Sequence, residues 1–436
     1  MLIILLNQFY PPDVAPTGVK LHDLAKYLVK DGNDVVVITS KGSYNGSKSF
    51  ESDVIDKVRI VRVPAFNFGR GTYFGKILDY LSFFLLIFFK LSTFRPKPDV
   101  VVAMTTPPYL GIFPALLFGR RSTDFKRFHS NEPLSIRQHT RIIHWIMDLY
   151  PDVINAHGML SQTSLIFRLL EKINRIMFMR SDKMLALGPS MVARLANYVD
   201  YRGDVRPINE TIQNNDEYED LDSDKRRPKI QWIPLWGDSD LKVLTKSEMY
   251  ALRSKYGWKE DDFVLMHAGN LGLGVRLNEF IEAARRLGKS GPIWAFFGGG
   301  KKWTELIQFA EAHKEMRLEL YGYVPKAILN TADVHLISLM SSWTGVGVPS
   351  KIQNIFSIGK PAIFVGDMKS EIALWILESG GGWVVREGDV DGLLASIESA
   401  KDPEERARRG RAAYFFAEEY FNQSKNCERI SKIILA

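Results

Sequence analysis

Short runs of leucine and β-branched residues recur along this chain, each separated from the next by room for one helix. Residues 2–6 (LIILL) read as a buried strand, and residues 18–30 as a helix with Leu21, Leu24, Ala25 and Leu28 on one face. DVVVITS (34–40), VRIVRVP (58–64), DVVVAM (99–104), IIHWIM (142–147) and KMLALG (183–188) continue the series. Such alternation implies parallel strands covered by helices on both faces.

Residues 202–229 break the rhythm with NDEYEDLDSD followed at once by KRRPK, which reads as a solvated connection. A second series then begins with DFVLMHAGN (262–270) and PIWAFFGGG (292–300). It continues with RLELYGY (317–323), DVHLIS (333–338), PAIFVG (361–366) and GWVVREG (382–388). At 436 residues the chain is too long for one ordinary core and comfortable for two. The expectation is therefore an α/β protein of two Rossmann-like domains facing a cleft. They are expected over 1–200 and 231–410, with a linker loop at 201–230 and closing helices at 411–436 that cross back to the first domain. In such sheets ligands bind at the carboxyl ends of strands.

Composition narrows the setting. Apolar residues make up 46% and charged residues 25%, as in ordinary globular proteins. Cys427 is the only cysteine, so an internal disulfide and a thiolate zinc site are excluded, and the eight histidines show no metal-site spacing. Met1 leads directly into LIILL without a basic region, so no signal peptide is expected and a cytoplasmic setting is. The net charge of +7 suits nucleic acid, anionic lipid or phosphorylated ligands. The cations are not interleaved with stacking aromatics as in a nucleic-acid module, so no nucleic-acid partner is expected.

The glycine-rich turns point to phosphate. Gly298, Gly299 and Gly300 follow a strand and precede the helical run KKWTELIQFAEAH, where backbone N–H groups can approach an anion. In VPSKIQNIFSIGKPAIFVGDMKSE (348–371), Ser350 and Lys351 fall in the first turn of a helix entered through Pro349. A lysine there opposes the helix dipole unless an anion is bound beside it. Three loops leave strand ends in the first half: NQFYPPDVAPTG (7–18) with Gly18, MTTPPY (104–109), and MDLYPD (147–152) with Asp148 and Asp152.

Taken together, FYPPDVAPTG, GRGTYFGKILDYLSFF, TTPPY, MDLYPDV, HAGNLG, FFGGG and VPSKIQNI with GKPAIFVGD resemble, in order and across nearly the whole chain, the retaining glycosyltransferases of family four. The likeness is to the bacterial branch acting in O-antigen, colanic-acid and capsule assembly, which has the GT-B fold. The resemblance implies an N-terminal acceptor-side domain and a C-terminal domain for a nucleotide-sugar donor. It sets Gly18 facing the transferred sugar, Gly269 and Asn270 near the diphosphate, and Gly298 and Gly299 at the next glycine turn. It also implies backbone contact to the base from the Tyr321–Tyr323 segment, phosphate contact from Ser350 and Lys351, and Asn354 facing the ribose. Glu371 closes the same donor-side segment. The Glu-x7-Glu pair of many family members is replaced by Val346 and Asn354, and Arg276 is the only cation near the GNLG turn.

Glycosyl transfer builds negative charge on the leaving diphosphate, so cations and glycine turns must stabilise it. Lys351, Arg276 and the turns at 269–272 and 298–300 are the candidates, with Asp148 acting on the sugar or the acceptor hydroxyl. No metal cofactor is expected, since Asp238-Ser-Asp240 and Asp222-Ser-Asp224 are tripeptides common by chance. Residues 73–94 (YFGKILDYLSFFLLIFFKLSTF) are too short in apolar length to span a bilayer. They are expected to lie on the inner face of the plasma membrane through Phe83, Phe84, Phe88 and Phe89, aided by the basic segment 120–141. A polyprenyl-linked glycan acceptor would suit such a surface. A sugar-nucleotide epimerase and a catalytically silent scaffold of a polysaccharide complex are the alternative functions.

Overall fold

The structure, a computed structural model, describes residues 1–42, 53–64, 73–119, 139–199 and 228–436. The chain forms two compact units, Met1–Ile233 with Cys427–Ala436, and Pro234–Asn426. Both are parallel-sheet α/β units of the expected class. Most of the linker expected at 201–230 and most of the basic segment 120–141 lie outside the described residues.

Unit 1 holds β1 (Leu2–Leu6), β2 (Asp34–Ser40), β3 (Val54–Ile55), β4 (Val58–Val63), β5 (Val100–Met104), β6 (Arg141–Trp145), β7 (Lys183–Ala186) and β8 (Lys229–Trp232). They form one sheet in the order β3-β4-β2-β1-β5-β6-β7-β8, parallel except for the β3–β4 edge hairpin. Its helices are α1 (Pro16–Lys30), α2 (Tyr73–Thr93), α3 (Ile112–Leu117), α4 (Asp152–Ala156), α5 (Leu165–Met179) and α6 (Pro189–Val199). Central strand β1 pairs Ile3 with Val35 of β2 and Val100 of β5. The strand order therefore reverses at β1/β5, and the carboxyl-end loops there splay apart. Strand β8 extends the first sheet into the segment expected to open the second domain. KIQW is too short and too polar at Lys229 and Gln231 to be read as a buried strand.

Unit 2 holds β9 (Val264–Asn270), β10 (Ile293–Gly299), β11 (Leu318–Tyr321), β12 (Val334–Ser338), β13 (Ala362–Gly366) and β14 (Gly382–Arg386). All run parallel in the order β11-β10-β9-β12-β13-β14, with the switch point between β9 and β12. Its helices are α7 (Lys246–Ser254), α8 (Asn278–Leu287), α9 (Trp303–Ala312), α10 (Lys351–Ser357), α11 (Glu371–Ser379), α12 (Val390–Ala400) and α13 (Pro403–Tyr420). A last helix, α14 (Gln423–Leu435), begins in unit 2 and joins unit 1 from Cys427. Residues from 403 to 420, partly expected to cross back, instead pack on α10, α11 and α12 within unit 2. Leu265, Trp294, Phe296, Leu336, Ile363 and Val365 are fully buried between the sheet and its helices.

Helix α2 corrects one expectation. Phe83, Ile87 and Leu91 are fully buried in the core of unit 1, and Phe84 and Phe88 lean on Phe113 of α3 at 5.3 and 6.2 Å between ring centres. Four phenylalanines within seven residues of a helix cannot share one face at 100° per residue. Of the four, Phe89 alone is mostly exposed, beside Tyr80, Leu81 and Leu85. Among the described residues no helix is long and apolar enough to cross a membrane.

Candidate functional site

A cavity of about 240 Å³ opens at the β9/β12 switch point of unit 2. Gly269, Gly298, Tyr323, Ser350, Lys351 and Asn354 line it, six of the residues singled out in the sequence. Lys351 opens α10, yet its side chain turns back beneath the end of β9. Its Nζ donates to Nε2 of His267 at 2.8 Å. The His267 Nδ1 faces the Leu336 carbonyl at 3.1 Å and must donate to it, which leaves Nε2 as the acceptor. Gly269 makes this path possible. Its φ of +122° is a conformation that side chains rarely adopt, and a Cβ there would stand 2.8 Å from Lys351 Cε.

No carboxylate pairs with Lys351 among the described residues. Burial pushes its ammonium down to about 7 and holds His267 well below the ordinary imidazole range. A cation held by a neutral imidazole in a concave site is arranged to receive an anion.

The wall opposite carries charges already matched. Asn354, expected at the ribose, exchanges two hydrogen bonds of 2.7 Å with Asp238, which also pairs with Lys326. Asp238 is thereby committed to these partners. Among the described residues no three metal-ligating side chains gather anywhere. Lys326, His335 and Phe297 line the cavity without having been picked out from the sequence. His335 Nε2 meets the Leu329 carbonyl at 3.0 Å, so this buried ring is anchored to its own unit. Tyr323 is 72% exposed at the mouth, whereas Tyr321 is half-buried and stacks on Phe297 at 4.7 Å.

Four donor-side candidates stand outside the cavity wall. Arg276 is gripped by Glu279 at 2.8 Å and Glu387 at 2.7 Å, so its charge is balanced within the protein. Glu279 lies only three residues along the chain, but nothing near Arg276 signals Glu387, which is over a hundred residues away. Glu371 is buried in the first turn of α11 behind the Ser370 cap, where the helix dipole favours a carboxylate. Gly299 backs onto the Tyr323 ring, and Asn270 is exposed at the tip of β9 with its side chain over Gly300. The helix after the glycine turn starts only at Trp303, so that turn does not feed directly into it.

Unit 1 has its own cluster at the β1/β5 switch. Gln8 N donates to the Thr106 carbonyl at 2.8 Å, and the backbone N–H groups of Met147 and Asp148 both donate to Thr105 Oγ1 at 3.0 and 3.2 Å. These bonds gather the three loops expected at the strand ends. Burial pushes the Asp148 carboxyl up to about 6, and it caps no helix. Asn7 Oδ1, Gln8 Oε1 and Tyr109 OH are buried without a hydrogen-bond partner among the described residues. Asp152, the other acid of that loop, accepts from the Tyr198 hydroxyl and pairs with Arg194 at 3.3 Å, which makes it structural. Gly18 also has a packing duty: a Cβ there would come within 2.8 Å of the Phe9 carbonyl oxygen, so its bareness seats α1 against its own loop.

No family model matches the chain. It is 24% identical over 317 residues to WbjE of Pseudomonas aeruginosa, named as a glycosyltransferase, across 71% of this chain and 68% of the relative. It is 25% identical over 279 residues to WcaI of Escherichia coli K12, named as a colanic acid biosynthesis glycosyl transferase, across 58% of this chain and 65% of that one. Neither name describes an epimerase or a scaffold. Among solved structures, Anabaena HepE in complex with UDP-glucose superposes with a TM-score of 0.64 at 14% identity, covering 100% of this chain and 99% of that one. WaaG, described as a glycosyltransferase involved in lipopolysaccharide biosynthesis, superposes with a TM-score of 0.63 at 16% identity and the same coverage.

Proposed function

We propose, from the premise that this chain is a family-four glycosyltransferase with the GT-B fold, that unit 2 binds a nucleoside-diphosphate sugar in the cavity at Gly269 and Lys351. The acceptor is taken at the carboxyl edge of unit 1, where Asp148 orients or deprotonates its hydroxyl or steadies the sugar cation. The observation that carries this reading is Lys351, a half-buried cation with a neutral partner and no carboxylate paired with it among the described residues. Configuration is retained, as in the family that the sequence resembles. Charge on the leaving diphosphate is met by Lys351, so no metal is required and turnover persists in EDTA; activity lost on chelation and restored by manganese would remove this mechanism. The product belongs to a surface polysaccharide, in line with the processes for which WcaI and WaaG are named. UDP and UDP-glucose are the first probes, because HepE shares the fold and is bound to them. Thermal shift against UDP, GDP and ADP tests the reading: a nucleotide at 100 times its dissociation constant stabilises the native state by about 2.7 kcal/mol. Indifference to all three, and to their sugars, contradicts it.

The acceptor we propose is polyprenyl-linked, met at the inner face of the plasma membrane. Helix α3 touches both α2 and α5, and all three expose apolar side chains. Leu81, Leu85 and Phe89 stand outward on α2, Leu116 on α3, and Leu165, Ile166, Leu169 and Ile176 on α5, Leu165 being 83% exposed. Arg168, Lys172 and Arg175 flank the α5 stripe, a pairing of apolar and basic groups that suits anionic headgroups. Leu85→Glu with Leu169→Glu should leave the fold intact and abolish sedimentation with vesicles containing acidic lipid. Wild-type protein that ignores such vesicles at low salt would contradict the membrane assignment.

A further inference from the structure

We propose that His267 is a positioning residue for Lys351, and that the pair couples diphosphate binding to the uptake of one proton from solvent onto Lys351 Nζ. This rests on the donor pocket proposed above. Because the Leu336 carbonyl fixes the proton on Nδ1, His267 can only accept at Nε2, and the lysine nitrogen sits 2.8 Å away. A carboxylate in that place would hold the ammonium permanently charged and satisfied. An imidazole aims the nitrogen without neutralising it.

Among the described residues, none of the groups around Lys351 pairs with its charge. Strand β9 contributes His267, and β12 contributes His335, which is committed to the Leu329 carbonyl. Lys326 faces the cavity from the segment after β11, and α10 adds Asn354; both are taken by Asp238. Lys360, at the turn after α10, adds a further positive charge acting on His335. Burial lowers the Lys351 ammonium to about 7, so the free protein holds it partly deprotonated at neutral pH. A bound diphosphate favours the charged form, and the missing fraction of a proton must come from solvent. The expected pH dependence follows in sign: affinity is greatest below about pH 7 and falls up to about tenfold per unit above it.

The test is titration calorimetry of the full chain with UDP at pH 8, in buffers of different ionisation enthalpy. The terminal phosphate of UDP, with a pKa of about 6, is already ionised there and contributes no proton. Uptake of about 0.9 proton per UDP is expected from a lysine near 7 that becomes fully charged on binding. Two variants separate positioning from mere packing. His267→Asn keeps a donor toward Leu336, but its amide oxygen stops short of Lys351 Nζ, and it should weaken UDP binding about tenfold. His267→Gln returns an oxygen within reach of Lys351 and should restore most of the affinity. UDP bound by the wild type without proton uptake would overturn the linkage, and wild-type affinity in His267→Asn would overturn the positioning role. Failure of UDP, GDP and ADP to bind at all is a different result, which removes the donor pocket itself.

Discussion

Lys351→Ala is expected to weaken UDP binding by about 1.5–3 kcal/mol, the contribution of a charge-assisted hydrogen bond, or roughly ten- to 150-fold in Kd. Transfer should fall further than binding, because charge on the diphosphate grows as the glycosidic bond breaks. The same variant should not unfold the protein. A lysine whose ammonium is lowered to about 7 by burial loses its proton earlier in the folded state than in the unfolded one. Stability therefore rises with pH from about 7 to about 10.5, and at neutral pH the buried charge costs stability rather than adding it. Removing it leaves a small cavity beside Gly269 but relieves that cost. Unchanged UDP affinity in a folded Lys351→Ala protein, measured by calorimetry, would misplace the diphosphate.

Asp148→Asn is expected to lower turnover by roughly 10²- to 10⁴-fold, the usual range for loss of a general base, with donor affinity retained. Its effect on stability has the opposite sign. Burial raises the Asp148 carboxyl from 3.8 to about 6, so the folded state keeps a proton that the unfolded state has already released. Stability is then lost as pH rises between those values, and the cost is complete by pH 7. At 1.36 kcal/mol per unit this is on the order of 3 kcal/mol as an upper bound. The Asn variant should thus melt above the wild type at pH 7–8, with the gap closing toward pH 4. A residue that costs stability and supports turnover is placed for chemistry. A variant that melts lower, or turns over normally, would make Asp148 structural.

The fold was legible because it is written in local patterns. Short apolar runs rich in β-branched residues, such as DVVVITS and PAIFVG, read as strands buried on both faces, and glycine turns mark where the chain can near a ligand. The strand at 58–63 was legible, but its two-residue hairpin partner β3 and the polar strand β8 were not, since each is too short to carry a pattern of its own. The site divides the same way. Lys351 and Gly269 could be found from helix polarity and turn chemistry. Their link through His267 could not, because a histidine inside an apolar strand has no sequence signature distinguishing anchor from core. Arg276 fails for a related reason: Glu279 stands three residues away, but Glu387 approaches from beyond β14, and only the fold shows it closing on the guanidinium. On α2, composition suggested an aromatic face, but helical geometry sends Phe83 inward and leaves Leu81 and Leu85 outside.

Lys351, held by His267 beneath Gly269, is the group proposed to receive the diphosphate of a nucleotide sugar. A crystal structure of the protein with UDP tests this placement most directly. A phosphate oxygen is expected about 2.8 Å from Lys351 Nζ, beside the Gly269 backbone, with Arg276 still paired to Glu279 and Glu387. A UDP whose phosphates lie away from Lys351, drawn instead to an Arg276 released from its two glutamates, would contradict it.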